Sequence, residues 1–289
     1  MKLAGRHAII TGASRGLGAC IAEKFVEAGA SVLMCARDPD MLGRVADGIA
    51  SRAGPKQKVI AHPADVSRPD QVEALVKAAL ERFPQVDILV NNAGIHGPIG
   101  PFEDSGWEDW QRAFQVNLMG SAHACRTLLP HLKSRRSGKI INISGGGATR
   151  PLPGMSAYAA SKAALVRFTE TLAEEVRSFG IDVNAVAPGT LATRLLDEVV
   201  AAGPEKVGAA YHDRISRARA EGGTSLEVPA ALCVYLASGE SNGITGKLIA
   251  AVWDPWADLH KYADRLRESD IYTLRRIVPE DRGFSLGSD

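Results

Sequence analysis

Cysteine is scarce and scattered in this chain. Cys20, Cys35, Cys125 and Cys233 are its only four, and no two form a C-x-x-C pair. That spacing excludes a disulfide framework and a cysteine zinc site, and no metal site is expected. Three of the four fall in apolar periodic segments and read as buried thiols of a reducing compartment. Long hydrophobic runs are missing too, since none approaches the ~20 residues of a membrane span. The N-terminal MKLAGRHAIITGASRG has only a short apolar run before its glycines and no cleavage site after a longer one, so a cytoplasmic location is expected. An excess of one charge is the third absence. The formal net charge is +1, without a long single-sign block, which excludes the footprint of a nucleic-acid or membrane-surface binder and leaves a small molecule as the expected partner.

What is present is ordinary globular material, 45% hydrophobic and 23% charged over 289 residues, enough for one large core. No internal repeat interrupts it. Strands are expected at HAIIT (7–11), SVLMCA (31–36), KVIAHPADV, VDILVNNAG, KIINIS, DVNAVAPG and GKLIAAV. Helices are expected over 17–28, after Pro39, over 69–83, over 107–133, around Tyr158 and over 226–238. Continuous apolar strands alternating with helices call for a Rossmann-like, doubly wound α/β fold: a mainly parallel seven-stranded sheet with helices on both faces. Residues 1–253 form a single domain. Residues 189–225, part helical and rich in Gly and charge, suit a substrate-binding lid or an ordinary surface excursion. Residues 254–289 read as a C-terminal extension with one amphipathic helix, from the spacing of Leu259, Tyr262 and Leu266.

TGASRGLG (11–18) lies between the first strand and first helix. Glycine is needed where a backbone turns tightly or approaches a pyrophosphate, and a helix N-terminus supplies N–H groups and partial positive charge. Its T-G-x-x-x-G-x-G spacing resembles the short-chain dehydrogenase/reductase superfamily. The resemblance runs from Gly12 to about Gly246 through NNAG (91–94), Asn117, YAASK (158–162) and PGTLAT (188–193). It implies a nicotinamide dinucleotide held by Gly12, Ser14, Arg15, Gly16, Leu17, Gly18, Asp65, Val66, Asn92, Ala93, Gly94, Tyr158, Lys162, Pro188, Gly189 and Thr193. Asp65, at a strand end, reads equally as a cap. An acid at the end of the second strand bonds a ribose 2′-hydroxyl, whereas an arginine accommodates a 2′-phosphate. This chain reads Ala36-Arg37-Asp38 there, with Arg15 near, so NADP is favoured over NAD; Asp38 opposes that unless it caps the helix at Pro39.

Tyr158 and Lys162 are i and i+4 on a helix and share a face. A nearby ammonium and the positive ring of an oxidised nicotinamide favour phenolate and lower a tyrosine's pKa, so Tyr158 is expected to exchange a proton with the reacting oxygen. By resemblance Lys162 also holds the nicotinamide ribose and Asn117 positions a water toward Lys162. The family's serine, which hydrogen-bonds the substrate oxygen, lies thirteen residues before the tyrosine. Here that position is Gly145, and Ser144 is one residue early. A rigid shift aims Ser144 away from Tyr158, while positive φ in Gly145, Gly146 and Gly147 would bring it back. Ser144 is favoured as the donor, with backbone N–H groups of the glycine run as the alternative.

On the substrate side, His96 and Met155 join Ser144 and Tyr158; Arg150, Thr190 and Leu191 are candidates by position. Trp253 and Trp256 either wall the pocket or anchor the tail to a neighbouring subunit. The reading is a catalytic set of Asn117, Ser144, Tyr158 and Lys162 in an NADP(H)-dependent oxidoreductase interconverting a secondary alcohol and a ketone, and a homo-oligomer, tetramer or dimer. The alternatives are an NAD-dependent dehydrogenase of the same fold, a dinucleotide-binding regulator with little turnover, and lyase or epimerase chemistry on an oxidised intermediate.

Overall fold

The computed structural model describes residues 1–284. Its sheet contains β1 (His7–Thr11), β2 (Ser31–Ala36), β3 (Val59–Pro63), β4 (Ile88–Asn91), β5 (Gly138–Ile143), β6 (Ile181–Ala187) and β7 (Leu248–Ala250). Their order is β3-β2-β1-β4-β5-β6-β7, and every pair is parallel. The chain winds outward from β1 in one direction and from β4 in the other. That reversal opens a crevice at the carboxyl ends of β1 and β4, where such sheets bind ligands.

Helices α1 (Gly16–Glu27) and α2 (Pro39–Ala50) cover one face, with α10 (Glu227–Ala237). The other face carries α3 (Pro69–Arg82), α5 (Gly120–Arg135) and α6 (Ser156–Val176). Successive residues of β1 feed the two cores, Ala8 and Ile10 into the first and Ile9 into the second, as the alternation of a strand requires. Cys35, Cys125 and Cys233 are buried in these cores, and burial pushes their thiols up, away from reactivity.

The helix expected over 107–133 is interrupted. It comprises α4 (Trp107–Phe114), a π-helical turn at Gln115–Met119 and then α5. Residues 189–225 hold α7 (Arg194–Ala202), α8 (Pro204–Val207) and α9 (Ala209–Ala220), closed at the base by Thr224 N donating to Thr190 O at 2.8 Å. Leu196, Val199, Val207 and Ile215 of this segment pack on Met155 in a small core of their own.

The tail departs from the expected single helix. A 3₁₀ segment (Trp256–Tyr262) gives way to the short α11 (Ala263–Arg267), so the stripe breaks: Leu259 and Leu266 are buried while Tyr262 is 52% exposed. Both leucines enter the first core. The chain beyond them lies along the sheet edge, where Leu248 N donates to Tyr272 O at 2.8 Å. Residues 285–289 of the expected extension lie outside the described residues.

Candidate active site

A cavity of about 1000 Å³ opens at the crevice. Every residue expected to touch cofactor or substrate lines it; Asn117 does not. The turn between β1 and α1 forms one end. A Cβ at Gly12 would stand 2.8 Å from Ala93 Cα, and one at Gly18 would stand 2.3 Å from Gly12 O, so both positions require glycine. Asn92 braces the turn, its Nδ2 donating to Thr11 O at 2.9 Å and Gly12 O at 3.1 Å. The first turn of α1 carries no acidic residue and no side-chain cap, and Gly16, Leu17 and Gly18 line the cavity. A narrow glycine cradle ending on an uncapped helix N-terminus fits a pyrophosphate.

Arg15 and Arg37 both line this end, and among the described residues neither is in an ion pair. Asp38 is engaged elsewhere, accepting from Met41 N at 3.0 Å as the cap of α2. Asp65 is engaged as well, by Ser67 N at 3.0 Å, Ser67 Oγ at 2.8 Å and Arg112 Nη2 at 2.5 Å. Burial works to raise its carboxyl, but these bonds hold it below its ordinary value. Val66 packs beside it, and its carbonyl oxygen would lie 2.6 Å from a Cβ at Gly120. Thr193, just before α7, lies over the turn, its Cγ2 standing 3.5 Å from a Cβ placed on Gly16.

At the other end α6 presents Tyr158 and Lys162 on one face, with Nζ 5.9 Å from the centre of the phenol ring. The pair is together, and burial acts on the ionisation of both groups. Burial pushes the Tyr158 hydroxyl up to about 12, with Tyr211 adding to the rise. Burial also takes the Lys162 ammonium down to about 8. That ammonium donates to Ile143 O at 2.7 Å, at the end of β5, rather than turning to the phenol. Desolvation therefore outweighs the attraction that i, i+4 spacing supplies.

The Asn117 side chain donates to Ile95 O and Ser161 Oγ, both at 2.9 Å, and accepts from Ile95 N at 2.9 Å, and its Oδ1 and the Lys162 Nζ both lie beside Gly94, 3.4 and 3.3 Å from a Cβ placed there. Sitting on the π-helical turn, it is a brace between the loop after β4 and α6. Ser144 reaches the cavity wall, but its hydroxyl donates to Lys162 O over a long 3.4 Å. The glycine run does not swing it back through positive φ: Gly145 is extended at φ 179°, and Gly146 begins a 3₁₀ turn. What glycine provides at 145 is a missing side chain, because a Cβ there would lie 2.4 Å from Tyr158 Oη.

The substrate end is apolar, with Leu152, Met155, Leu196, Val199 and Ile215 around Tyr158 and Tyr211. Arg150 and Arg214 stand at its mouth. His96 is 6% exposed, and its ring meets Tyr158 edge-on with centroids 4.9 Å apart. Glu198 of α7, whose Oε2 lies 3.2 Å from His96 Nδ1, was not legible in the sequence, where it is one of two adjacent acids. Tyr211 and Ile215 share one face of α9 at i, i+4, the only signal that could have marked them. Trp253 is 68% exposed at the cavity rim, whereas Trp256 turns inward to Tyr235, its Nε1 donating to Ala251 O at 2.9 Å.

The family model described as short chain dehydrogenase matches residues 6–203. The chain is 36% identical to an L-fucose dehydrogenase of Oryctolagus cuniculus over 85% of its length and 83% of that protein. It is 33% identical to a D-beta-hydroxybutyrate dehydrogenase of Rhizobium meliloti (strain 1021), over 83% of this chain and 95% of the other. Among solved structures, levodione reductase superposes with a TM-score of 0.78 at 28% identity, covering 86% of this chain and 96% of that one.

Proposed function

Since the chain belongs to the short-chain dehydrogenase family, whose members act on CH–OH groups and whose fold binds a nicotinamide dinucleotide, we propose that it is an NADP(H)-dependent oxidoreductase interconverting a secondary alcohol and a ketone. The observation that carries the chemistry is the buried Tyr158–Lys162 pair in the same cavity as the glycine cradle. When bound, the nicotinamide supplies the hydride and, oxidised, a positive ring. Tyr158, kept protonated by burial, is the proton donor to a ketone oxygen. Lys162 ties α6 to the end of β5 through Ile143 O and sets the place of the phenol. The glycine cradle and the N–H groups of α1 hold the pyrophosphate, and Asn92 keeps the cradle in shape.

NADP is supported by Asp38, whose capping bond leaves Arg37 as the charged side chain free to meet a 2′-phosphate, with Arg15 across the turn. Titration with NADPH and NADH tests this directly. Wild-type protein is expected to bind NADPH tighter, and Arg37→Asp to lose that preference by about 1.5–3 kcal/mol, the worth of charge-assisted hydrogen bonds. Equal affinities in the wild type would overturn the NADP reading in favour of NAD. The displaced Ser144 hydroxyl favours one other reading, a dinucleotide-binding regulator, which would bind NADPH yet turn over no alcohol or ketone in a broad panel. Homo-oligomerisation and a cytoplasmic location belong to this proposal. The exposed Phe102 and Trp107, beside a Trp107–Trp110–Phe114 stack on α4, support an interface there. No helix among the described residues is long and apolar enough to cross a membrane.

A further inference from the structure

Around the Tyr158 hydroxyl, where a reacting oxygen must lie, side-chain donors are scarce. Gly145 has none, and Ser144 is turned to Lys162 O. The Lys162 ammonium donates to Ile143 O, and the Asn117 amide is engaged by Ile95 and Ser161. Two polar side chains stand near the phenol, Tyr211 of α9 and His96, and of the two it is His96 whose ring packs on the phenol ring. His96 is buried on the loop after β4, lines the cavity and meets the Tyr158 ring edge-on, with centroids 4.9 Å apart.

It is held there by the lid. His96 Nδ1 lies 3.2 Å from Glu198 Oε2 on α7, and the other carboxylate oxygen of Glu198 lies 3.2 Å from Arg194 Nε. The hydrogen bond from His96, with Arg194 assisting, keeps the Glu198 carboxyl below its ordinary value although burial opposes this. A carboxylate on Nδ1 fixes the ring's orientation, favours the imidazolium and leaves Nε2 as the nitrogen that faces a ligand. A carboxylate, an imidazole and a hydroxyl in sequence are a proton-handling arrangement whatever fold carries them.

We propose that His96, oriented by Glu198, is a catalytic residue of this site, its Nε2 hydrogen-bonding the reacting oxygen beside Tyr158. It supplies the contact that the missing side chain at 145 cannot. In the reductive direction the new O–H bond takes its proton from Tyr158, which becomes phenolate, while His96, acting as the imidazolium, keeps Nδ1–H on Glu198, donates Nε2–H to the same oxygen as charge develops, and gives up neither proton. The hydride arriving at carbon comes from the dihydronicotinamide, which is oxidised as the carbonyl is reduced. In the oxidative direction the same contacts are made in reverse. Because Glu198 belongs to α7, the arrangement is complete only while the lid covers the cleft.

The inference rests on the oxidoreductase reading, and one set of variants separates the two. Wild type, Tyr158→Phe, His96→Gln, His96→Ala and Glu198→Gln are assayed for oxidation of L-fucose, D-beta-hydroxybutyrate and cyclohexanol with each cofactor. On whichever probe wild type turns over, His96→Gln is expected to lower kcat by about 10²–10³-fold, the size of a lost oxyanion donor, with KM and cofactor affinity unchanged. Glu198→Gln gives a smaller loss, and free imidazole restores His96→Ala in a concentration-dependent way. Nitrogen NMR of the cofactor-free protein is expected to show a proton on His96 Nδ1 shared with Glu198, a signal altered in Glu198→Gln. An active wild type with a silent Tyr158→Phe and a His96→Gln of full kcat, or one altered only in KM, overturns this inference alone. A wild type inactive on every probe with both cofactors overturns it together with the reading beneath it.

Discussion

Lys162 keeps an ammonium where water hardly reaches it, 4% exposed and bonded to one carbonyl. Burial lowers its pKa from 10.5 to about 8, so below pH 8 the folded protein bears the full penalty of a buried charge that the unfolded chain does not have. Between that value and 10.5 the unfolded chain binds more protons, and stability rises with pH. Lys162→Met is therefore expected to abolish turnover yet raise stability at pH 7 by about 1–3 kcal/mol. In denaturant titrations its advantage shrinks as pH passes 8 toward 10.5. A variant less stable than wild type at pH 7 would contradict the assignment of Lys162 as a strained functional group. The sequence made the Tyr158–Lys162 pairing legible because i, i+4 spacing fixes which side chains share a face. It could not show that the Ile143 carbonyl would claim the ammonium, since that contact joins residues from separate elements. Ser144 teaches the same lesson. Counting identified Gly145 as standing where a hydroxyl was expected, but only the fold shows that no Cβ has room there.

Among the elements, the segment 189–225 has one close backbone approach that a single side chain would block. Gly154, at φ +74°, passes so near α8 that a Cβ would lie 2.0 Å from Lys206 O. Gly154→Ala is strained by its backbone and by that contact, and it is expected to displace α7–α9. KM should rise, and the lid should become sensitive to limited proteolysis, with cofactor binding retained. A global stability loss of about 1–3 kcal/mol accompanies it. Unchanged KM and proteolysis would show that residues 189–225 are a surface excursion. The strands and the helices over the sheet were legible from apolar runs and their period. The π-helical turn at Gln115–Met119 was not, because a one-residue widening leaves no mark in hydrophobic spacing. Nor was the interplay of the loop after β4 with α7, which joins His96 to Glu198 across 102 residues.

For the whole molecule, the tail is the least separable part. Leu259 and Leu266 are each 4% exposed in the main core, and Lys247 Nζ donates to Ser269 O at 2.9 Å and Ile271 O at 3.0 Å. Glu170 Oε1 accepts from Leu274 N, fastening the chain to α6. Burial of the two leucines alone is worth about 1.5–3 kcal/mol apiece. A chain ending at Val252 is expected to lose at least that sum, read as a fall in the denaturant midpoint. A truncated chain as stable as the full one would contradict this account of the tail. Apolar spacing pointed to Leu259 and Leu266, but it placed them with Tyr262 on one amphipathic helix, because the 3₁₀ segment and the pairing along β7 depend on the rest of the fold.

The account as a whole stands on Tyr158 as the proton donor beside a bound nicotinamide. The most direct measurement is the rate of reduced-cofactor oxidation by Tyr158→Phe and wild type, with cofactor affinity titrated in both. The expected result is a fall in kcat of about 10²–10⁴-fold at unchanged cofactor Kd. A phenylalanine variant that turns over at the wild-type rate would contradict it.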